Sequence, residues 1–202
     1  MTEAVVRAVS KPVTVKTRLG YDNDRKEIVE IAERLQDVGI QAITIHGRTR
    51  VTRSSEPADW TLIGKVKENP AMHIPVFGNG DVFTPQAAKF FKETYHVDGL
   101  MIARGSYGNP WIFRDIKHYL ATGRILSAPD IHERVRICRI HLEKSVEWKG
   151  ERVAVNEIRK HYSDYFKGFP DFKRYKVLLM EESSSEKINQ ILNDIEHYYS
   201  YI

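Results

Sequence analysis

The chain has a single cysteine, Cys138, in 202 residues. An internal disulfide and a cysteine-based metal cluster are therefore excluded, no metal site is expected, and redox chemistry would have to come from a bound cofactor. It also lacks any apolar run near the roughly 18 to 20 residues of a membrane span. Its first ten residues, Met1-Thr-Glu-Ala-Val-Val-Arg-Ala-Val-Ser10, read as an amphipathic helix without the apolar centre and cleavage site of a signal peptide. A cytoplasmic location with no membrane partner is the expectation. A large excess of one charge is lacking as well. Against 31 Lys and Arg stand 27 Asp and Glu, a net +4, and an isoelectric point near 9.0 suits a polyanionic partner no better than it suits ordinary solubility. Internal repeats and low-complexity segments are absent.

What is present is a change of pattern part-way along. With 42% hydrophobic and 29% charged residues, the chain can bury one or two cores. From Lys11 to about Trp111, apolar β-branched runs at Val13–Lys16, Ala42–His46, Ile74–Phe77 and Gly99–Ile102 alternate with helical periods. Ile28, Ile31, Ala32, Leu35 and Val38 share one face and stop at Gly39; Trp60, Ile63 and Val66 make a second stripe. Thr84-Pro85 opens a third helix with an N-cap and a first-turn proline, ahead of Ala87, Ala88 and Phe91. Strand and helix in alternation imply a parallel sheet.

Beyond Trp111 strand signals cease. Stripes at helical spacing take over at Ile131 to Val146, Val155 to Phe166, Val177 to Met180 and Ile188 to Tyr199, separated by Gly150, Gly168-Phe-Pro170 and Ser183-Ser-Ser185. The expected organisation is an α/β domain over residues 1–123 and an all-helical bundle over 124–202.

The first domain carries the chemistry. Pro75-Val-Phe-Gly-Asn-Gly-Asp-Val82 and Asp98-Gly-Leu-Met-Ile-Ala-Arg-Gly105 are short apolar runs that end in glycine and polar residues, as buried parallel strands do where they meet a ligand. They resemble strands seven and eight of a (β/α)8 TIM barrel, whose following loops commonly bind phosphate through backbone N–H groups and a helix N-terminus. A full barrel needs eight βα units in typically about 250 residues. This chain has four, so either half a barrel stands alone or the sequence starts within a larger enzyme, Met1 being then an internal methionine or a truncated start. A half barrel would leave strand edges and apolar inner faces uncovered, and self-association is expected from that.

Val13-Thr-Val-Lys-Thr-Arg-Leu-Gly20, Thr44-Ile-His-Gly-Arg-Thr-Arg50, Ala58-Asp-Trp60, Gly78-Asn-Gly-Asp81 and Gly108-Asn-Pro-Trp-Ile-Phe113 occur in one order. Together with Arg159-Lys-His-Tyr162 they closely resemble the second half of the tRNA-dihydrouridine synthases, over essentially the whole chain. The resemblance implies a flavoprotein that reduces uridines of tRNA with NADPH through FMN. It implies a partial barrel holding FMN and a helical tail holding tRNA. Lys16 would contact the flavin; the same lysine could instead snorkel from the barrel mouth. His46 would lie against the flavin or its phosphate arm, although a histidine after an apolar run is more often a core residue. Asn79, Gly80, Asp81, Ala103 and Arg104 would bind the FMN phosphate, a plain turn being the bland alternative for the first three. Arg48 and Arg50 are loop charges that could meet cofactor phosphate, tRNA or solvent.

In the tail, Arg159, Lys160 and His161, interleaved with Tyr162, Tyr165 and Phe166, are expected to face tRNA phosphates unless they form an ordinary charged helix face. Glycine is usual in the family where Ala103 stands, and Val51–Pro57 lacks the usual aromatic and glycine. The family's catalytic cysteine belongs to the first half of the barrel, and Cys138, on an apolar helical stripe, does not replace it. No catalytic residue is assigned in this chain. Two other functions remain open: a non-catalytic RNA-binding module, or another FMN-dependent barrel oxidoreductase.

Overall fold

A computed structural model describes residues 1–201, in two compact units. The first comprises 1–106 and 111–125, the second 107–110 and 126–201.

Unit one is a mixed α/β structure built from a short helix, α1 (Thr2–Ala8), followed by alternating strands and helices: β1 (Thr14–Arg18), α2 (Ile28–Asp37), β2 (Ala42–His46), α3 (Thr61–Glu68), β3 (Val76–Asn79), α4 (Pro85–Tyr95), β4 (Gly99–Met101) and α5 (Ile112–Thr122). The strands form one parallel sheet in sequential order. Register aligns Lys16 with Thr44, Phe77 and Gly99, and Arg18 with His46, Asn79 and Met101. Because successive side chains alternate faces, Ile43, Ile45 and Val76 enter a core with Ile28, Ala32, Ile63, Val66 and Ala88. The opposite face carries Thr14, Lys16, Arg18, Thr44, His46 and Asn79 beside Phe77 and Met101. The sequence suggested apolar inner faces; the face turned away from the helices is instead mostly polar and cationic, because the apolar residues of each strand occupy the helix-facing register.

Strand limits shift from those expected. β2 falls where its β-branched run places it, but β1 runs on to Arg18, so Lys16 is central rather than terminal, and β3 starts two residues late at Val76 and continues to Asn79. α4 starts as Thr84-Pro85 dictates, the Thr84 hydroxyl accepting from Ala87 N at 3.1 Å.

Glycine at 78 allows a close approach to the Trp60 ring. A Cβ there would lie 1.9 Å from the Trp60 ring. Trp60 is buried, stacks on Phe91 at 4.3 Å and donates through Nε1 to Gly80 O at 3.1 Å.

Unit two contains α6 (Ile131–Lys149), α7 (Glu151–Tyr165), α8 (Lys173–Glu181) and α9 (Ser185–Tyr199). Asp130 caps α6 by accepting from Glu133 N at 2.8 Å, and Ser184 accepts from Lys187 N to start α9. Val135, Cys138, Leu142, Val155, Ile158, Tyr162, Leu179, Ile188, Leu192 and Ile195 fill the core. On α8 the expected stripe is narrower: Tyr175 and Leu179 are buried, whereas Val177, Leu178 and Met180 are exposed. No strand occurs among the described residues after Met101, and no helix there is long and apolar enough to cross a membrane.

Tyr162 is fully buried, and its hydroxyl has no hydrogen-bond partner. Burial pushes its pKa upward, assisted by Cys138. A buried hydroxyl without a partner costs about 1–3 kcal/mol, so Tyr162→Phe is expected to leave stability unchanged or raise it by about 1 kcal/mol in urea titrations. A loss of that size would mean that the hydroxyl is satisfied in solution.

Candidate functional site

The C-terminal ends of the four strands surround a cavity of about 300 Å3, at the low end of small-molecule sites. Lys16 and Arg18 reach it from β1, His46 and Arg48 from β2 and the turn after it. Asn79, Gly80 and Asp81 come from the end of β3, Ala103 and Arg104 from the segment after β4. Every residue expected to bind a cofactor phosphate or ring therefore lines one cavity, although those residues lie up to 88 positions apart, the span from Lys16 to Arg104.

The turn after β3 shapes its floor. Gly80 has φ +126 and Asp81 φ +55, conformations that glycine adopts freely and aspartate tolerates. They aim the Asp81 carboxylate at three donors. Arg48 Nη2 lies 2.7 and 2.8 Å from its oxygens, Ala58 N donates at 2.7 Å and Arg104 Nη2 at 3.0 Å. Burial alone would raise the Asp81 pKa, but the Arg48 hydrogen bond, the Ala58 N–H and the charges of Arg48 and Arg104 outweigh it and hold the carboxyl below its ordinary 3.8.

Arg48 is not a free loop charge. It is 3% exposed, with Nε donating to Glu56 O at 2.8 Å, Nη2 also to Glu56 O, and Nη1 lying 3.1 Å from His46 Nε2. The expectation that it meets tRNA is corrected on that ground: a guanidinium committed to Asp81, Glu56 and His46 has no exposed donors to give. Arg50, two residues on, is exposed. Asn79 is buried and donates through Nδ2 to Met101 O at 2.7 Å, tying β3 to β4. Arg104 is partly exposed at the rim and also donates to Ser54 O at 3.0 Å.

The charge balance favours an anion. Burial, then the nearby Arg18, lowers the Lys16 pKa, and Lys16 has no ion-pair partner among the described residues. His46 is pushed down to about 4, first by burial and then by Arg18, Lys16 and Arg48, with Asp81 acting in the opposite sense. The one carboxylate of the cavity is already neutralised.

In unit two the residues expected on an RNA face separate. Arg159 is half-buried and donates to Asn156 Oδ1 and to Glu182 O, closing the C-terminal end of α8. Lys160 is exposed, its ammonium 6.0 Å from the Tyr107 ring. His161 packs edge-on to His141 and Tyr107, and its Nδ1 is buried without a partner. Tyr162, Tyr165 and Phe166 are buried, so they form core and not the stacking surface expected of them. Consecutive helical residues point about 100° apart, which is why Arg159, Lys160 and His161 cannot share a face. Cys138 is fully buried, and its thiol is pushed up to about 12 by that burial, against the opposing charge of Arg139. It is no proton donor of ordinary cysteine strength.

The profile of the family described as Dihydrouridine synthase (Dus) matches residues 1–199. The chain belongs to the dihydrouridine synthase family. It is 40% identical over 193 residues to a protein named Probable tRNA-dihydrouridine synthase 1 from Synechocystis sp., covering 96% of this chain and 54% of that one. It is 40% identical over 197 residues to a Probable tRNA-dihydrouridine synthase of Rickettsia conorii, covering 96% and 59%. Against tRNA-dihydrouridine synthase B of Pseudomonas putida identity is 42% over 174 residues, covering 86% and 51%. The chain thus spans little more than half the length of these relatives. Among the charged pocket residues of this family member, Arg18 was not singled out by sequence reasoning; its Nη1 donates to Thr49 O at 2.6 Å. Its signal was the i, i+2 spacing from Lys16, which places both cations on one face of β1.

Proposed function

We propose that this chain is part of a flavin-dependent tRNA-dihydrouridine synthase, an enzyme that reduces uridine in tRNA to 5,6-dihydrouridine with NADPH through FMN. In this reading unit one is the C-terminal half of a (β/α)8 barrel and unit two a tRNA-binding domain, working in the cytoplasm. The observation that carries it is the cationic cavity at the C-terminal ends of the strands, where barrel enzymes keep their sites. β1 and β4 each have one unpaired edge among the described residues. A closed barrel has none, and the remaining strands of a synthase twice this length would pair there.

The residues fit FMN. Lys16, Arg18 and Arg104 supply positive charge, and Asp81 is already neutralised by Arg48. Arg104 and the backbone of Gly80, Asp81 and Ala103 would hold the phosphate, His46 the adjoining arm, and Lys16 the ring edge on which negative charge gathers. FMN, when bound, supplies the hydride chemistry that no side chain of this chain possesses. No catalytic acid is assigned here, since Cys138 is sealed in a helical core.

Titration of FMN fluorescence with the purified chain tests the pocket. Lys16→Ala is expected to weaken FMN by about tenfold or more, the loss of one charge-assisted hydrogen bond; unchanged affinity would remove Lys16 from the site. For tRNA, filter binding across a salt series should show a steep slope. Lys160→Ala is expected to flatten it by about one phosphate contact, whereas Arg159→Ala should lower stability and leave the slope alone. A slope indifferent to Lys160 would take this part of α7 out of the interface.

A further inference from the structure

Arg48 Nη1 lies 3.1 Å from His46 Nε2. A guanidinium has only donors and stays protonated in proteins. At that distance Nε2 must therefore accept, because an N–H on it would oppose another N–H. His46 is then neutral, with its one proton on Nδ1. Nor can Arg48 swing aside cheaply. Its Nε is held by Glu56 O, its Nη2 by Glu56 O and both Asp81 oxygens, and Asp81 is itself fixed by Ala58 N and Arg104. The guanidinium is anchored at the far side and aimed at the imidazole.

We propose that Arg48 is a positioning residue: it holds His46 as the neutral Nδ1–H tautomer, so that His46 offers the pocket's anionic ligand an uncharged hydrogen-bond donor. The tautomer rests on geometry alone; the ligand rests on the flavin reading above. The charged groups around His46 act the same way. Arg18, its register partner on β1, and Lys16 on the same strand both oppose a second proton, as does Arg48. Asp81 alone favours one, and its charge is shared between Arg48 and Arg104. Neutral Asn79 flanks His46 on β3. The pocket thus carries its positive charge on Lys16, Arg18 and Arg104 and makes its histidine insensitive to pH. A histidine left to itself would switch near neutrality.

Long-range proton–nitrogen NMR of the 15N-labelled 202-residue chain decides the matter, with His46→Gln identifying the His46 signals among eight histidines. At about pH 6 and about pH 8, Nε2 should resonate as an unprotonated nitrogen and Nδ1 as a protonated one, with no shift between the two. An Nε2–H tautomer, or titration near the ordinary value of about 6.5, overturns the proposal. Arg48→Met is expected to release His46 into mixed tautomers and restore a titration step. Should that variant not fold, Arg48→Lys serves, since one ammonium cannot satisfy Glu56, Asp81 and His46 together. A folded variant of either kind with His46 still locked overturns the role of Arg48. FMN titration of the same sample separates the two readings: a locked His46 in a chain without FMN affinity would refute the flavin assignment and uphold this one.

Discussion

Trp60→Ala is expected to lower the unfolding free energy of the α/β unit by about 3–5 kcal/mol, the usual loss for a buried large aromatic, and to weaken ligand binding in the cavity. Both effects come from one geometry. Trp60 is 1% exposed, stacks on Phe91, lies 5.9 Å from Tyr95 and fills the space that the missing side chain of Gly78 leaves. Its indole N–H also holds the Gly80 carbonyl, the residue from which the turn carrying Asp81 departs. Truncation opens a void beneath β3 and frees the turn above it. Urea unfolding followed by circular dichroism measures the first effect, with the two units analysed as separate transitions, and FMN titration the second. A stability loss below about 1 kcal/mol would mean that the surrounding helices close over the gap, and Trp60 would not be what supports the site.

The second large effect is expected at Asp81. Asp81→Ala leaves Arg48, 2% exposed at its side chain, without a counter-charge, and an uncompensated buried charge of this kind costs about 3–5 kcal/mol. The parent chain should show the corresponding acid dependence in two stages. His46 has a folded pKa near 4 against an ordinary 6.5. Between those values the unfolded state binds a proton that the folded state refuses, so stability falls as pH drops through that window. Asp81 acts further down: its folded pKa lies below 3.8, so its contribution is complete above 3.8 and is lost as pH falls through the lower folded value. Urea midpoints measured against pH check both stages. His46→Gln should flatten the upper one, and Asp81→Ala should leave the upper stage in place while abolishing its own. A parent midpoint constant from pH 6.5 to 4 would contradict the His46 stage.

Local chemistry determined much of this protein before any fold was known. The β-branched run Ala42–His46 is a strand, and Thr84-Pro85 starts a helix, because neighbouring residues alone set those preferences. The parallel order followed from strand–helix alternation, and the residues that the family resemblance singled out at the strand ends, from Lys16 to Arg104, line one cavity. What the tertiary structure decided was everything that depends on partners far away in sequence. The limits of β3 depend on the backbone of β2 and β4, so an apolar run ending at Phe77 could not show that Gly78 and Asn79 also pair. Arg48 was expected to be a loop charge, open to cofactor phosphate, tRNA or solvent. Its burial depends on Asp81, 33 residues on, turned toward it by two left-handed residues that sequence spacing does not reveal. In α7 the opposite holds: Tyr162, Tyr165 and Phe166 continue the stripe of Val155 and Ile158 at helical spacing, so their burial was written in the periodicity. The separation of Arg159, Lys160 and His161 was implicit in the same 100° step per residue. Which of the three stayed exposed was settled only by what packed around the helix, namely the end of α8 against Arg159 and the rings of His141 and Tyr107 against His161.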